Sequence, residues 1–180
     1  ILMKKKIIVI GGPTAIGKTD LCIKLAENFQ SEIISADARQ FYEKLNIGVA
    51  KPTNTQLKKI KHHFIGHLSV QKNYSIGNYE TDSLQLINNL FNKHDILLLC
   101  GGSGLYVDAI CEGLSPFPKV SNAIRNRLKQ EYKEKGIQKL QKRLKKIDLE
   151  SYMSIDKNNP QRLIRALEIS EVGEKPFSYY

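Results

Sequence analysis

The segment Gly12-Pro13-Thr14-Ala15-Ile16-Gly17-Lys18-Thr19 has the spacing G-x-x-x-x-G-K-[ST], and each fixed type has a chemical reason. Glycines let the backbone wrap tightly with successive N–H groups aimed inward. A helix that starts at the loop turns its positive dipole end toward a bound anion. Lys18 adds a full charge between two phosphoryl groups, and the Thr19 hydroxyl is a hard oxygen ligand for Mg²⁺. Gly12 to Thr19 therefore read as a diphosphate cradle of the nucleotide-binding kind, ATP included, with magnesium as cofactor. The acid placed to act there is Asp37, which closes the run "EIISAD". Ligands of parallel sheets gather at the carboxyl ends of strands, so Asp37 should face the loop. A metal-shell ligand, a general base and a turn former are all open to it. Ser103 in "GGSGLY" sits where a strand should meet a helix, as a cap or as a substrate-facing hydroxyl; it lacks the G-x-S-x-G spacing of a nucleophile. The histidines of "HHFIGH" have no accompanying cysteine or acid pattern and read as a mixed loop with one ring packed inward.

These residues need elements to hold them. "KIIVIGG" is continuous and β-branched, as in a strand buried on both faces. Leu21, Leu25 and Phe29, with Cys22 beside them, predict a helix from Gly17 to Phe29 lying on the sheet. "SEIISAD" reads as a second strand ending at Asp37. A looser stretch runs to Pro52, and "TNTQLKKIKHH" reads as a short helix. Tyr79, Leu86 or Ile87, and Leu90 give a helix within Ser75–Lys93. "DILLLCGG" is a further strand, and Leu105, Ala109 and Ile110 mark a helix after it. Alternating strands and helices predict an α/β class, a P-loop NTPase-like parallel sheet flanked by helices, over residues 1–114. After Pro116 and Pro118 nothing reads as a strand. Ile124, Leu128 and Tyr132, then Ile137, Leu140, Leu144 and Ile147, then Leu163 and Leu167 give three helix faces, so residues 115–180 read as an all-α part.

The formal net charge is +10, and from Lys119 to Lys146 eleven Lys or Arg face two Glu. That concentrates the surplus on the helical part and points to a polyanionic partner. Three scattered cysteines support neither a disulfide framework nor a zinc knuckle, and a reducing cytoplasm is expected. The apolar run after "MKKK" is short for a signal peptide, and no run reaches the roughly 18 apolar residues that span a bilayer, so no membrane partner is expected.

"GGPTAIGKT", "IISADARQFYEKLNIGVAKP", "HHFIGH", "GGSGLY" and "NNPQRLIRALEI" fall in this order, and in that they resemble the tRNA dimethylallyltransferases, also called tRNA isopentenyltransferases. The likeness runs from about Ile7 to about Gly173. It implies transfer of a dimethylallyl group from dimethylallyl diphosphate to the exocyclic amine of the adenosine just 3′ of the anticodon, in tRNAs reading codons that begin with U. The loop's ligand is then the diphosphate leaving group rather than ATP; a P-loop small-molecule or nucleotide kinase is the alternative. Asp37 matches the family's general base, Thr14 a donor-lining position, and Asp37-Ala38-Arg39-Gln40, Ser103, Arg125 and Gln161-Arg162-Leu163-Ile164-Arg165 match positions of tRNA contact. The basic helical part resembles the family's insertion over the anticodon stem-loop, and a monomer is expected. Ile16, Ala38 and Gly66 stand where the family commonly has serine, serine and aspartate. The family continues beyond the equivalent of Tyr180, so the resemblance implies that the C-terminal return to the core is absent from this chain.

Overall fold

β1 (Lys6–Gly11), β2 (Ile33–Ser35), β3 (His62–His63) and β4 (Ile96–Gly101) pair in the order β1-β4-β2-β3, every pair parallel. The computed structural model describes residues 4–180. The chain divides into two units, Ile1–Leu114 and Ser115–Tyr180. In the first unit β4 is central, and Leu97, Leu98 and Leu99 are fully buried, as expected of a strand covered on both faces. The register sets Gly11 beside Gly101 and Ser35 beside Cys100, so the carboxyl ends of three strands finish together.

α1 (Lys18–Phe29) covers one face, where Cys22, Ile23 and Ala26 pack with Ile33 and Leu98. This differs from the expected stripe: Leu21 is 50% exposed and Phe29 is also exposed. With 3.6 residues per turn, a four-residue spacing drifts by about 40° per step, so Leu21, Leu25 and Phe29 do not share one narrow face. On the opposite face α3 (Ile76–Leu90) buries Tyr79, Ile87 and Leu90 against Ile34, Leu97 and Leu99. Ser75 caps α3 through a reciprocal pair with Asn78, and the Tyr79 hydroxyl donates to the Ser35 carbonyl at 3.0 Å. α4 (Gly104–Cys111) turns Ala109 inward and leaves Leu105 exposed, contrary to the expected face.

The helix expected over "TNTQLKKIKHH" is shorter. α2 (Asn54–Lys59) starts at a Thr53–Gln56 capping box, then the chain straightens and His62–His63 form β3 at the edge of the sheet. The Ile33 N–H donates to the Lys61 carbonyl at 3.0 Å, so pairing with β2 takes over from helix propagation.

The second unit is helical. α5 (Asn122–Ile147) is broken at Gly136, whose φ of 71° and ψ of 177° suit glycine, and the two predicted apolar faces lie on either side of the break. α7 (Pro160–Val172) begins with proline at its first turn and Asn159 as cap. Leu128, Leu140, Leu144, Leu163 and Leu167 form the core, whereas Ile147 is exposed. A short helix absent from the sequence reading, α6 (Leu149–Ser154), is capped by Asp148.

Asp148 is buried, and its carboxylate accepts from the Ser151 N–H at 3.0 Å, the Ser151 hydroxyl at 2.7 Å and the Ser178 N–H at 2.8 Å. Burial pushes the carboxyl up, but these bonds outweigh it and hold it below the usual range. A depressed acid contributes stability that is fully present above its unfolded pKa, about 3.9, and is lost as pH falls through the lower folded value. Asp148→Ala is expected to cost about 2–3 kcal/mol at neutral pH, because two N–H groups lose their acceptor. Acid titration of the melting temperature checks this: the gap between wild type and variant should close below pH of about 4, and a constant gap would refute the charged cap.

Candidate functional site

β1 ends at Gly11 and the chain enters the loop through Gly12 (φ 152°), Ala15 (φ 67°) and Gly17 (φ 89°). Ala15 holds a left-handed conformation without being glycine, which costs about 1 kcal/mol and marks a loop whose shape is imposed by its surroundings. Lys18 opens α1, and its Nζ donates back to the carbonyls of Gly12, at 2.8 Å, and of Pro13. The ammonium therefore arches over the loop between strand and helix. Ile16 is 67% exposed, so a hydroxyl there is not needed to build the loop.

Beside the loop lies a cavity of about 280 Å³. Thr14, Ala15, Gly17, Lys18, Thr19 and Asp20 supply one wall, and Cys22, Ile33, Ser35 and Cys100 line it from α1 and the sheet. The segment around α2 supplies the other wall through Lys51, Gln56 and His62. Asp20 Oδ1 accepts from Gln56 Nε2 at 2.7 Å, which buckles α2 to the first turn of α1. The Lys51 Nζ is held beside the cavity, donating to the carbonyls of Tyr42 at 2.6 Å and Glu43 at 3.1 Å and to Asn46 Oδ1 at 3.1 Å. His62 Nδ1 donates to the Ile60 carbonyl at 2.8 Å, and burial holds this ring below its usual pKa, hence neutral. His63 pairs with Glu32 at 2.5 Å, and His67 packs edge-on to Phe41. No cluster of three or more metal-binding side chains occurs among the described residues. Thr19, Asp20 and Ser35 are hard oxygen donors along the cavity, a set that suits Mg²⁺ held largely by phosphate oxygens and water.

Asp37 stands two residues past β2, on the far side of the β4 terminus from the loop. The Ala36 N–H donates to the Cys100 carbonyl at 2.8 Å, and the Ser103 N–H donates to the Ala36 carbonyl at 3.2 Å. A Cβ on Gly102 would lie 3.1 Å from the Gly12 carbonyl oxygen. Gly12, the Gly101–Gly102 pair and Ala36 are thus stacked in contact, with the phosphate loop at one end and Asp37 at the other. Asp37 itself does not line the cavity, whose wall passes through its neighbours Ser35 and Gln40. Asp37 Oδ1 accepts the Arg39 N–H at 3.1 Å, which fixes the carboxylate in a turn. Ser103 makes no side-chain cap; its hydroxyl accepts the Ala38 N–H at 3.3 Å. Gln40 is likewise engaged internally, accepting from Ser35 Oγ at 3.1 Å and donating to the Ala50 carbonyl at 3.0 Å. Arg39 is exposed.

In the second unit the five residues from Gln161 to Arg165 split by face. Leu163 and Ile164 pack in the helical core, Ile164 also lining a groove with Arg125 and Arg165, whereas Gln161 and Arg162 are exposed. Arg162 and Arg165 line a groove of about 430 Å³ with Asn159 and Phe177. Glu168, 2% exposed, accepts from Arg125 Nε at 2.9 Å and from Arg165 Nη1 at 3.4 Å, which fixes both guanidinium groups. Arg127 and Arg143 pair with Glu171. Among the described residues the lysines between Lys119 and Lys146 have no acidic partner, so the unpaired positive charge of α5 is lysine charge.

The residues from Gln40 to Tyr180 match the family model described as IPP transferase. The chain belongs to the IPP transferase family. Its fold is the P-loop NTPase-like parallel sheet of that family's solved structures. The chain is 51% identical to a tRNA dimethylallyltransferase of Christiangramia forsetii, over 99% of this chain and 59% of the relative. It is 41% identical to tRNA dimethylallyltransferase 1 of Bacteroides thetaiotaomicron, over 97% of this chain and 56% of the relative. Among solved structures, a eukaryotic dimethylallyltransferase acting on tRNA superposes with a TM-score of 0.82 at 26% identity, covering 98% of this chain and 44% of that one. The full-length tRNA isopentenylpyrophosphate transferase of Bacillus halodurans gives a TM-score of 0.61 at 32% identity, covering 96% and 57%. The chain spans about three fifths of the length of the curated relatives it matches. These likenesses do not favour the kinase alternative. No helix of the described residues is long and apolar enough to cross a membrane.

Proposed function

We propose that this IPP transferase family chain moves a dimethylallyl group from dimethylallyl diphosphate to the exocyclic amine of the adenosine 3′-adjacent to the anticodon, in tRNAs reading codons that begin with U, and releases diphosphate. The observation that carries this reading is the placement of a phosphate cradle and a carboxylate on the two sides of one glycine pair, in a chain whose relatives are named for that transfer. The allylic C–O bond breaks as negative charge builds on the departing diphosphate. Loop N–H groups and Lys18 stabilise that charge where it develops, and the dipole of α1 adds to them. Thr19 would hold Mg²⁺, which neutralises diphosphate charge when bound. Adenine's amine is a weak nucleophile because its lone pair is delocalised, so Asp37 acts by taking the amine proton as the new C–N bond forms. The base must leave its stack to reach this point. The lysines of α5, with Gln161, Arg162 and Arg165, supply the surface for the phosphates of the anticodon stem-loop. The enzyme works as a cytoplasmic monomer in this reading.

The test is incubation of the whole protein with labelled dimethylallyl diphosphate and an adenosine-bearing anticodon stem-loop. Label should enter the RNA and should be lost when that adenosine is replaced. ATP consumption without any isoprenoid would favour the kinase instead. Arg162→Ala is expected to weaken stem-loop binding by about 1 kcal/mol and to lower the slope of log affinity against log salt by about one. Equal affinities of variant and wild type across a salt series would remove Arg162 from the RNA surface.

A further inference from the structure

Between α5 and α7 lies a hollow of about 320 Å³ lined by Arg125, Lys129, Gln161, Ile164, Arg165 and Glu168. Arg125 and Lys129 stand one turn apart on α5, and Gln161, Arg165 and Glu168 recur at helical steps on α7, so each helix turns one face toward it. Three cations against one acid leave the hollow positive. The acid is the buried member: the Glu168 side chain is 2% exposed, whereas those of Arg125 and Arg165 are 41% and 43% exposed. Its grip on the two arginines is unequal. Arg125 is held through two atoms, Nε donating to Oε1 at 2.9 Å and Nη2 to Oε2 at 3.3 Å. Arg165 donates once, from Nη1 to Oε2 at 3.4 Å. Its guanidinium carbon also lies 5.4 Å from the centre of the Phe117 ring, which stacks on Phe177. Among the described residues no partner holds Nη1 of Arg125, or Nε and Nη2 of Arg165. Two guanidinium groups bonded to one site repel unless an anion lies between them, and each would otherwise sample many rotamers. The buried carboxylate removes both costs and leaves the remaining N–H groups free to donate.

We propose that Glu168 is a positioning residue for RNA: it holds Arg125 and Arg165 in one arrangement that, with Lys129, receives a backbone phosphate of the stem-loop. The inference rests on the RNA reading of the helical unit. A planar guanidinium matches two phosphate oxygens only when its N–H groups are aimed, and an arginine already fixed loses less rotamer freedom when the phosphate arrives. Glu168 itself carries the wrong charge for a polyanion. Coulomb's law alone therefore predicts that its removal tightens RNA binding, by taking a negative charge away from a phosphate site. Positioning predicts the opposite sign, because Arg125 loses both of its anchors and Arg165 loses one of its two. The direction of one change separates the two explanations.

Glu168→Gln in the whole protein keeps the shape of the side chain and removes its charge. Binding is measured to an adenosine-bearing anticodon stem-loop and to oligouridylate of equal length, over a salt series. The variant should bind the stem-loop about tenfold more weakly, the weight of one charge-assisted bond, and should bind oligouridylate at least as tightly as the wild type does. Arg125→Lys leaves the net charge unaltered and a cation beside Glu168, but gives up the fork. It should lose a similar factor, and the double variant should lose less than the product of the two, since Glu168 acts through Arg125. Circular dichroism shows whether Glu168→Gln folds; if it does not, Arg125→Lys decides alone. Stem-loop affinity equal to or above that of the wild type in folded Glu168→Gln, or unchanged affinity in Arg125→Lys, would overturn the proposal. A wild type that binds no stem-loop removes the RNA reading itself and this inference with it. A wild type that binds, with variants that bind as well, removes only the role of Glu168.

Discussion

Asp37→Asn is expected to slow dimethylallyl transfer by about 10²–10⁴-fold, the range for loss of a positioned general base. Stem-loop affinity should be unchanged. The substitution isolates basicity from shape. Asparagine keeps an Oδ1 that accepts the Arg39 N–H, now at 3.1 Å, and the backbone bonds that hold this turn do not involve the side chain: Ala36 N–H to Cys100 and Gln40 N–H to the Asp37 carbonyl. What asparagine lacks is a carboxylate able to take a proton from the amine. Single-turnover transfer of labelled donor, with stem-loop binding measured separately, distinguishes chemistry from recognition. A variant at full rate would show that the amine loses its proton to something else, and the role of Asp37 would shrink to holding the turn. A loss of RNA affinity equal to the loss of rate would make it a contact residue instead.

The phosphate loop was legible because its information is local. Eight consecutive residues carry the glycines, the cation and the hydroxyl, and β1 and α1 flank them as their own periodicities require. The break at Gly136 was legible for the same reason, as was a short helix in "TNTQLKKIKHH", although the end of α2 was not: β3 forms there only because β2 offers an edge. The second wall of the cavity was not legible. Gln56 reaches Asp20, 36 positions earlier, and nothing in either residue's neighbourhood announces the bond. Cys22 and Cys100 line that cavity from α1 and β4, and no local pattern brings them together. Helical periodicity applied to "QRLIRALEI" separates Leu163 and Ile164, which face the core, from Arg162; a motif taken as a block hides that division. The pairing of Arg125 with Glu168 and of Arg127 with Glu171 depends on α7 packing beside α5, which a count of charges along one helix does not see. Side chains that span elements decide which of the basic residues keep free charge.

The β4 terminus joins the two halves of the site, and Gly101→Ala should therefore disturb both stability and binding. A Cβ at Gly101 would sit 2.2 Å from the Ala36 carbonyl oxygen, 2.4 Å from its carbon and 2.8 Å from its Cα, all backbone atoms. No rotamer relieves that overlap, so β2 and β4 must separate at the point where Ala36 donates to Cys100. The cost is expected to be about 3 kcal/mol, at the upper end for overpacking because the obstacle is main chain rather than a yielding side chain. The separation moves Asp37 away from Gly102 and Gly12, so pyrophosphate affinity and transfer rate should fall together in whatever fraction stays folded. Gly104→Ala is the internal control: its Cβ would meet nothing within 4 Å, and the residue starts α4, where alanine is the better helix former. Urea unfolding of both variants reads the difference directly. Equal midpoints for Gly101→Ala and Gly104→Ala would mean that β2 and β4 leave room for a methyl group at this point and that the glycine pair does not fix the distance from cradle to carboxylate.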